Sequence, residues 1–299
     1  MSHIHHSHSP AKFGTAFATA AVLNIGIVVL EVTYGLLSNS TALLSDAAHN
    51  TGDVIGLLLA WGAYALAQHQ PSAKFTYGLR SSTVLASLLN GMLLLVATGA
   101  IVWEAIRRFF EPTIISVNEV IFVAIIAIVF NSLSAWLLSR GQKDDINIRS
   151  AFWHLVSDAA VSAGVVVAGF LIIWTGVPWI DSIASIGIAI VIIWSTWGLF
   201  REAVRLSLQA VPSSIDFDGV RKYLNEVAGV ERVHDLHIWP ISTTETALTC
   251  HLVVSSSFDS RTIAKISEEM EHIFKIGHTT IQLESSDEKP CRLAPETTV

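Results

Sequence analysis

Six apolar stretches of lipid-spanning length, about 14–37, 41–66, 81–106, 114–138, 150–175 and 180–206, leave this chain of 299 residues few ways to fold. A membrane-crossing helix needs about 20 mostly apolar residues, and each stretch supplies them. The breaks are short and carry turn residues: Ser38-Asn39-Ser40, Pro71 with Tyr77-Gly78, Glu111-Pro112, Gly141 to Asn147, and Gly176-Val177-Pro178. Composition agrees, at 52% hydrophobic and only 14% charged residues, too apolar for an ordinary soluble domain. The expected fold class is an α-helical membrane protein with a six-transmembrane-helix bundle over residues 13–208.

The basic residues give an orientation. Lys12, Lys74, Arg80, Arg140, Lys143, Arg149, Arg201 and Arg205 flank one set of helix ends, whereas Arg107 and Arg108 flank the other. By the positive-inside rule both termini of this integral multi-pass protein are cytosolic, and a bacterial source would place it in the inner membrane. His3, His5, His6 and His8 stand where a secretory leader would carry basic residues, so no cleaved leader is expected. The net charge of −7 and the lack of a basic cluster exclude a nucleic-acid partner, leaving lipid as the surrounding medium.

Two of the six stretches carry what lipid disfavours. His49-x-x-x-Asp53 and His154-x-x-x-Asp158 repeat one two-ligand spacing. An Asp at the centre of a spanning helix costs roughly 2.5–3.5 kcal/mol on insertion scales, so the pairs need a compensating partner. Residues i and i+4 share a helix face, and the second and fifth helices run in opposite directions. His49 is thus expected level with Asp158, and Asp53 level with His154. Two nitrogens and two oxygens make a tetrahedral set that suits Zn²⁺, whereas Mg²⁺ and Ca²⁺ prefer oxygen. Polar neighbours Ser45, Asp46 and Asn50, with Ser150, Ser157 and Ser162, extend the stripe. A helix-gluing His-Asp hydrogen bond within each motif is the competing reading. The empty site carries two negative charges, so protons and metal compete for the same groups. That is the chemistry of a metal/proton antiporter working by alternating access. A closed four-ligand site and the lack of a His-Glu-x-x-His motif speak against an enzyme. A membrane-bound zinc sensor that does not transport is the alternative.

From about Gln209 the pattern becomes that of a small soluble domain. Asp216 and Asp218 cap a helix, Val233 to Ile238 and Ala247 to Val254 alternate as strands, a second helix carries Ile263, Ile266, Met270 and Ile273, and Thr279 to Glu284 closes the domain. This αββαβ order predicts an α+β sheet covered by two helices over residues 209–285, between a His-rich tail (1–12) and a flexible tail (286–299). Cys250 and Cys291 form no disulfide or metal spacing pattern.

The sequences Leu-Leu-Ser-Asp-Ala-Ala-His-Asn-Thr-Gly-Asp (43–53), Trp-His-Leu-Val-Ser-Asp (153–158), Val-His-Asp-Leu-His-Ile-Trp (233–239) and His-Thr-Thr-Ile-Gln-Leu-Glu (278–284) together resemble the zinc-transporting branch of the cation diffusion facilitator family. The resemblance runs from about residue 12 to 285. It implies a homodimer, a cytosolic ferredoxin-like domain, and export of Zn²⁺, with Cd²⁺ or Co²⁺ as further substrates, in exchange for H⁺. It maps the transport site onto His49, Asp53, His154 and Asp158. It also maps a cytosolic zinc site onto His234, His251, His278 and Glu284, which strand parity permits on one sheet face. His237 and Cys291 read as bystanders. The family's loop site between the second and third helices does not extend to this chain, whose residues 68–79 hold one His and no carboxylate. Glu31, Asn24, Asn90 and Asn131 read as interhelical hydrogen-bonding groups, Asp181 as an N-terminal capping charge on the sixth helix, and Trp103, Trp174 and Trp179 as interfacial anchors.

Overall fold

A computed structural model describes residues 14–139, 146–255, 258–259, 261–285, 291 and 293, without the side chains of residues 14–21, 146–148 and 150. The His run, Lys12, Arg140, Lys143 and the C-terminal tail apart from Cys291 and Leu293 lie outside the described residues.

Six long helices come first: α1 (Gly14–Leu37), α2 (Thr41–Ala67), α3 (Ser82–Phe110), α4 (Val117–Leu138), α5 (Ile146–Thr175) and α6 (Trp179–Ser207). They follow the six apolar stretches closely. α4 starts later than the apolarity alone suggests, because the chain after Pro112 is held off helix: Ser116 donates its N–H to Ser38 O at 3.0 Å. Gly176, at φ +72°, ends α5 in the left-handed conformation open to glycine, its N–H on Ile172 O at 2.8 Å. Among the described residues, α3, α4, α5 from Ala151 and α6 are each long and apolar enough to cross a membrane. α2 falls short because Ser45, Asp46, His49, Asn50, Thr51 and Asp53 dilute its first half, and the apolar run described in α1 is Val22–Leu37.

The chain divides into two compact units, one made of the segment up to Ile55 with Met92–Thr196, the other of Gly56–Gly91 with the segment from Trp197 onward. In the first, α4 packs against α1 and α5. Leu43, Leu94, Val120, Val123, Ala124, Val165, Ile188 and Ile192 form its buried core. The approach of α4 to α5 is close enough that a Cβ on Gly169 would stand 2.5 Å from Ile121 Cγ1, the small-residue contact expected where lipid offers no hydrophobic drive between helices.

The second unit contains α7 (Phe217–Glu226), β1 (Val230–Pro240), β2 (Thr246–Val254), α8 (Thr262–His272) and β3 (His278–Ser285). Asp216 caps α7 by accepting the Gly219 N–H at 3.0 Å. The sheet order is β1-β2-β3, with β1 antiparallel to β2 and β2 parallel to β3, the parallel step being bridged by α8. Val220 and Leu224 of α7 and Ile266 and Met270 of α8 bury one sheet face through Val233, Ile238, Leu248, Cys250 and Leu252. The alternate residues of the strands are left to the opposite face.

Candidate metal centre

α2 and α5 present their motif residues to each other as antiparallel helices should. His49 Nε2 lies 3.5 Å from Asp158 Oδ1, and His154 Nε2 lies 3.1 Å from Asp53 Oδ2. The pairs along each helix are longer, 3.8 Å for His49 with Asp53 and 3.6 Å for His154 with Asp158. The nearest carboxylate of each imidazole is therefore on the other helix, not one turn away on its own. The two rings meet edge to face with centroids 5.8 Å apart.

These separations test the fit to a metal. With ligands at about 2.0–2.1 Å, a tetrahedral Zn²⁺ sets ligand atoms about 3.3–3.4 Å apart. The nitrogen–oxygen distances here, 3.1 to 3.8 Å, bracket that value. His49, Asp53 and His154 bring their ligand atoms within 4.8 Å of one another. Asp158 stands outside that group: it splits its carboxylate, one oxygen toward each imidazole, and would turn about its soft terminal torsion to offer one oxygen to a shared ion. The site is graded in exposure: Asp158 is fully buried, His49 is 17% exposed and His154 42%. It opens toward the C-terminal end of α2 and the N-terminal end of α5.

Behind Asp158 the polar stripe continues into the protein. Asp46 accepts a hydrogen bond from Ser162 Oγ at 2.8 Å, and Glu31 accepts one from Asn50 Nδ2 at 2.9 Å. All four are essentially inaccessible. Glu31, read from sequence as a hydrogen-bonding group between helices, does bond across helices; its complete burial beside two further carboxylates is what the sequence reading missed. The signal was available, because an ionisable residue inside a span is itself an alert. Asp181 stands in the first turn of α6, as expected of a capping charge, and does more than that. It also receives Thr41 N–H (2.6 Å), Thr41 Oγ1 (2.7 Å), Ala42 N–H (3.2 Å) and the Ser40 hydroxyl, closing the N-terminus of α2.

A second cluster occupies the helix-free face of the sheet. His234 and His251 are register partners on β1 and β2, with ring centroids 5.0 Å apart, and Glu284 stands on β3 opposite Val253. Glu284 Oε2 lies 3.0 Å from His234 Nε2, and Oε1 lies 2.8 Å from His251 Nδ1. Burial alone would raise the Glu284 carboxyl, but hydrogen bonds from His234, Cys291 and His251 outweigh it and hold the group below the usual carboxylate range. Two nitrogens and a carboxylate within 4.8 Å of one another can hold a metal ion. His278 does not join them. It begins the strand that Glu284 nearly ends, six residues or about 20 Å along a chain rising about 3.3 Å per residue, and its ring packs on Tyr77 at 5.5 Å. Shared parity put both residues on one face and said nothing of distance along it.

Asp235 was not singled out by sequence. A register shift between His234 and His237 and a φ of +48° turn it so that Oδ2 faces His251 Nε2 at 3.5 Å and Oδ1 bonds His237 at 2.9 Å. A bulge of this kind re-aims a side chain, and no strand alternation foretells it. Cys291, read as a bystander, brings Sγ to 3.7 Å from His251 Nδ1.

Taken together, paired imidazoles and carboxylates inside a bundle of apolar helices define a membrane carrier for a divalent cation. Two family descriptions match the chain, "Cation efflux transmembrane domain" over residues 18–206 and "Cation efflux protein, cytoplasmic domain" over residues 212–286. The "Cadmium, cobalt and zinc/H(+)-K(+) antiporter" of Bacillus subtilis is 34% identical over 94% of this chain and 92% of its own. The "Zinc transporter ZitB" of Pectobacterium atrosepticum is 32% identical over 95% and 89%, and the "Metal cation efflux system protein CzcD" of Cupriavidus metallidurans 31% over 97% and 92%. The chain belongs to the cation efflux family and is a divalent-metal exporter, not an enzyme.

Proposed function

We propose that this protein exports Zn²⁺ from the cytosol in exchange for protons, with His49, Asp53, His154 and Asp158 holding the ion in transit. The observation that carries the reading is the cluster of His49, Asp53 and His154, whose ligand atoms lie within 4.8 Å of one another, with buried Asp158 turning one carboxylate oxygen toward each imidazole. Neutral imidazoles and ionised carboxylates bind the metal; their protonated forms release it, so a proton gradient drives the exchange. The names of the relatives support zinc, with cadmium and cobalt as further substrates and protons as a counter-ion. In this reading residues 13–208 form a transport domain of six spans with both termini cytosolic. Residues 209–285 form a ferredoxin-like domain that joins two copies into a homodimer and binds regulatory zinc through His234, His251 and Glu284.

The test uses inverted membrane vesicles or proteoliposomes with an imposed proton gradient. Wild-type protein takes up Zn²⁺, and Asp53→Ala or Asp158→Ala abolishes uptake. Uptake by both variants at the wild-type rate would refute the site.

A further inference from the structure

Glu31, Asp46 and Asp158 are three carboxylates with no accessible surface, and they come close enough to repel one another. Asp158 lies within ion-pair distance of both imidazoles of the metal centre, whereas His49 acts on Asp46 only through the field between them. Glu31 and Asp46 have other company. Each takes one hydrogen bond, from Asn50 and Ser162 respectively, and each keeps a second oxygen that no donor among the described residues reaches: Glu31 Oε1 and Asp46 Oδ1. The Asn50 side chain is aimed at Glu31 through its amide nitrogen, and its own Oδ1 is likewise buried and unpartnered. Three buried acceptor oxygens thus lack a donor, in a protein class where nearly all such atoms have one.

No cation on the neighbouring helices supplies it. α1, α2 and α4 contain neither Lys nor Arg, and α5 carries only the exposed Arg149, in its first turn. Among the described residues, Tyr34 on α1 is half-buried, Tyr64 lies toward the end of α2, and Arg201, Glu202 and Arg205 lie in the last two turns of α6. His49 and His154 belong to the metal centre, Glu119 is exposed at the start of α4, Asp181 is saturated by the N-terminus of α2, and Glu104 pairs with Arg107 and Arg108 at the end of α3. What turns an acceptor-only carboxylate into a donor is a proton.

We infer that Glu31 and Asp46 form a proton-holding pair, separate from the metal ligands, that gives up a proton when a divalent cation occupies the neighbouring site. With the metal site empty, three ionised carboxylates would stand together in low dielectric, and a carboxyl O–H on the pair removes one charge and supplies a missing donor. When Zn²⁺ binds beside Asp158, its two positive charges reverse that balance; the O–H bond breaks and the proton leaves to solvent. One exported ion is thereby tied to a proton that the four ligands do not themselves carry. The inference rests on the antiport reading above.

The experiment counts protons released per Zn²⁺ bound, using purified full-length protein titrated with zinc chloride in buffers of differing ionisation enthalpy. Protons released by the sheet cluster are common to all variants and cancel in the difference. Glu31→Gln and Asp46→Asn keep shape and hydrogen bonding but cannot hold the proton. In one or both, the count should fall by about one while zinc affinity at alkaline pH stays within a few-fold of wild type. An unchanged count in both overturns the inference, and so does loss of zinc binding in both, which would make the pair part of the metal site's architecture. If wild-type protein and Asp158→Asn release equal numbers of protons, the antiport reading fails instead.

Discussion

His251 holds the sheet cluster together because its two ring nitrogens face different partners. Nδ1 is 2.8 Å from Glu284 and 3.7 Å from Cys291 Sγ, while Nε2 is 3.5 Å from Asp235. A metal that displaces the proton from Nδ1 would leave the Nε2–H tautomer facing the Asp235 carboxylate, an arrangement common behind zinc-bound histidines. Zinc held by His234, His251 and Glu284 would then sit beside the Cys291 thiol and shield it. Saturating zinc should slow alkylation of Cys291 by iodoacetamide at pH 8, read by peptide mass spectrometry, and His251→Ala should remove the protection. Cys250 is the internal control. Burial in the sheet core pushes its thiol up to about 12, so it stays unmodified with or without metal. Equal labelling of Cys291 in both conditions would remove zinc from this cluster. At this scale the sequence was informative where period decides position. His234, His251 and Glu284 share a face by alternation, and the His-x-x-x-Asp pairs by helical turn. It was silent where a backbone irregularity decides, as at Asp235, and where distance along one strand matters, as at His278.

Helix α2 is the element under most tension, since it must hold His49 and Asp53 in register while its polar first half gains little from lipid. Its N-terminus is anchored by Ser40, whose hydroxyl accepts the Leu43 N–H at 3.1 Å, and by Asp181, which takes the N–H groups of Thr41 and Ala42. Losing one N-cap side chain costs about 0.5–2 kcal/mol, and a buried donor left unsatisfied costs about 1–3 kcal/mol more. Asp181→Ala should therefore lower stability by about 1.5–5 kcal/mol, seen as an earlier unfolding midpoint when the detergent-solubilised protein is titrated with dodecyl sulfate. Asp181→Asn, which keeps one acceptor oxygen, should lie between it and wild type. An unshifted midpoint for the alanine variant would mean that the cap contributes nothing. The six helices themselves were legible because apolar length is a strong local signal, and their ends because Gly176, Pro112 and the Ser38–Ser40 turn punctuate them. The second role of Asp181 was hidden because sequence shows a residue at the start of its own helix, and only packing reveals that it also closes a neighbour's N-terminus.

At the scale of the whole molecule, the question is how a soluble domain can influence a site inside a bundle of helices. Within the second unit the segment joining α2 to α3 is tied to the β1–β2 turn. Arg80 Nη1 pairs with Glu245 Oε2 at 2.5 Å, Ser81 Oγ donates to Ile241 O at 3.1 Å, and the Thr243 N–H donates to Thr83 Oγ1 at 3.1 Å. Both members of the ion pair are 44% exposed. Such a pair adds no more than about 1 kcal/mol to stability, so its value lies in fixing register. α2 runs unbroken from Thr41 to Ala67, and the tied segment therefore continues directly from the helix that carries His49 and Asp53. Arg80→Glu places two like charges where the tie was. It should slow proton-driven Zn²⁺ uptake roughly 2- to 30-fold, a coupling of about 0.5–2 kcal/mol, while leaving equilibrium zinc binding unchanged. The exchanged pair, Arg80→Glu with Glu245→Arg, restores the attraction and should recover most of the rate, as expected when two positions act through each other. Uptake by Arg80→Glu at the wild-type rate, or a double variant no better than the single one, would show that the tie does not transmit movement to α2.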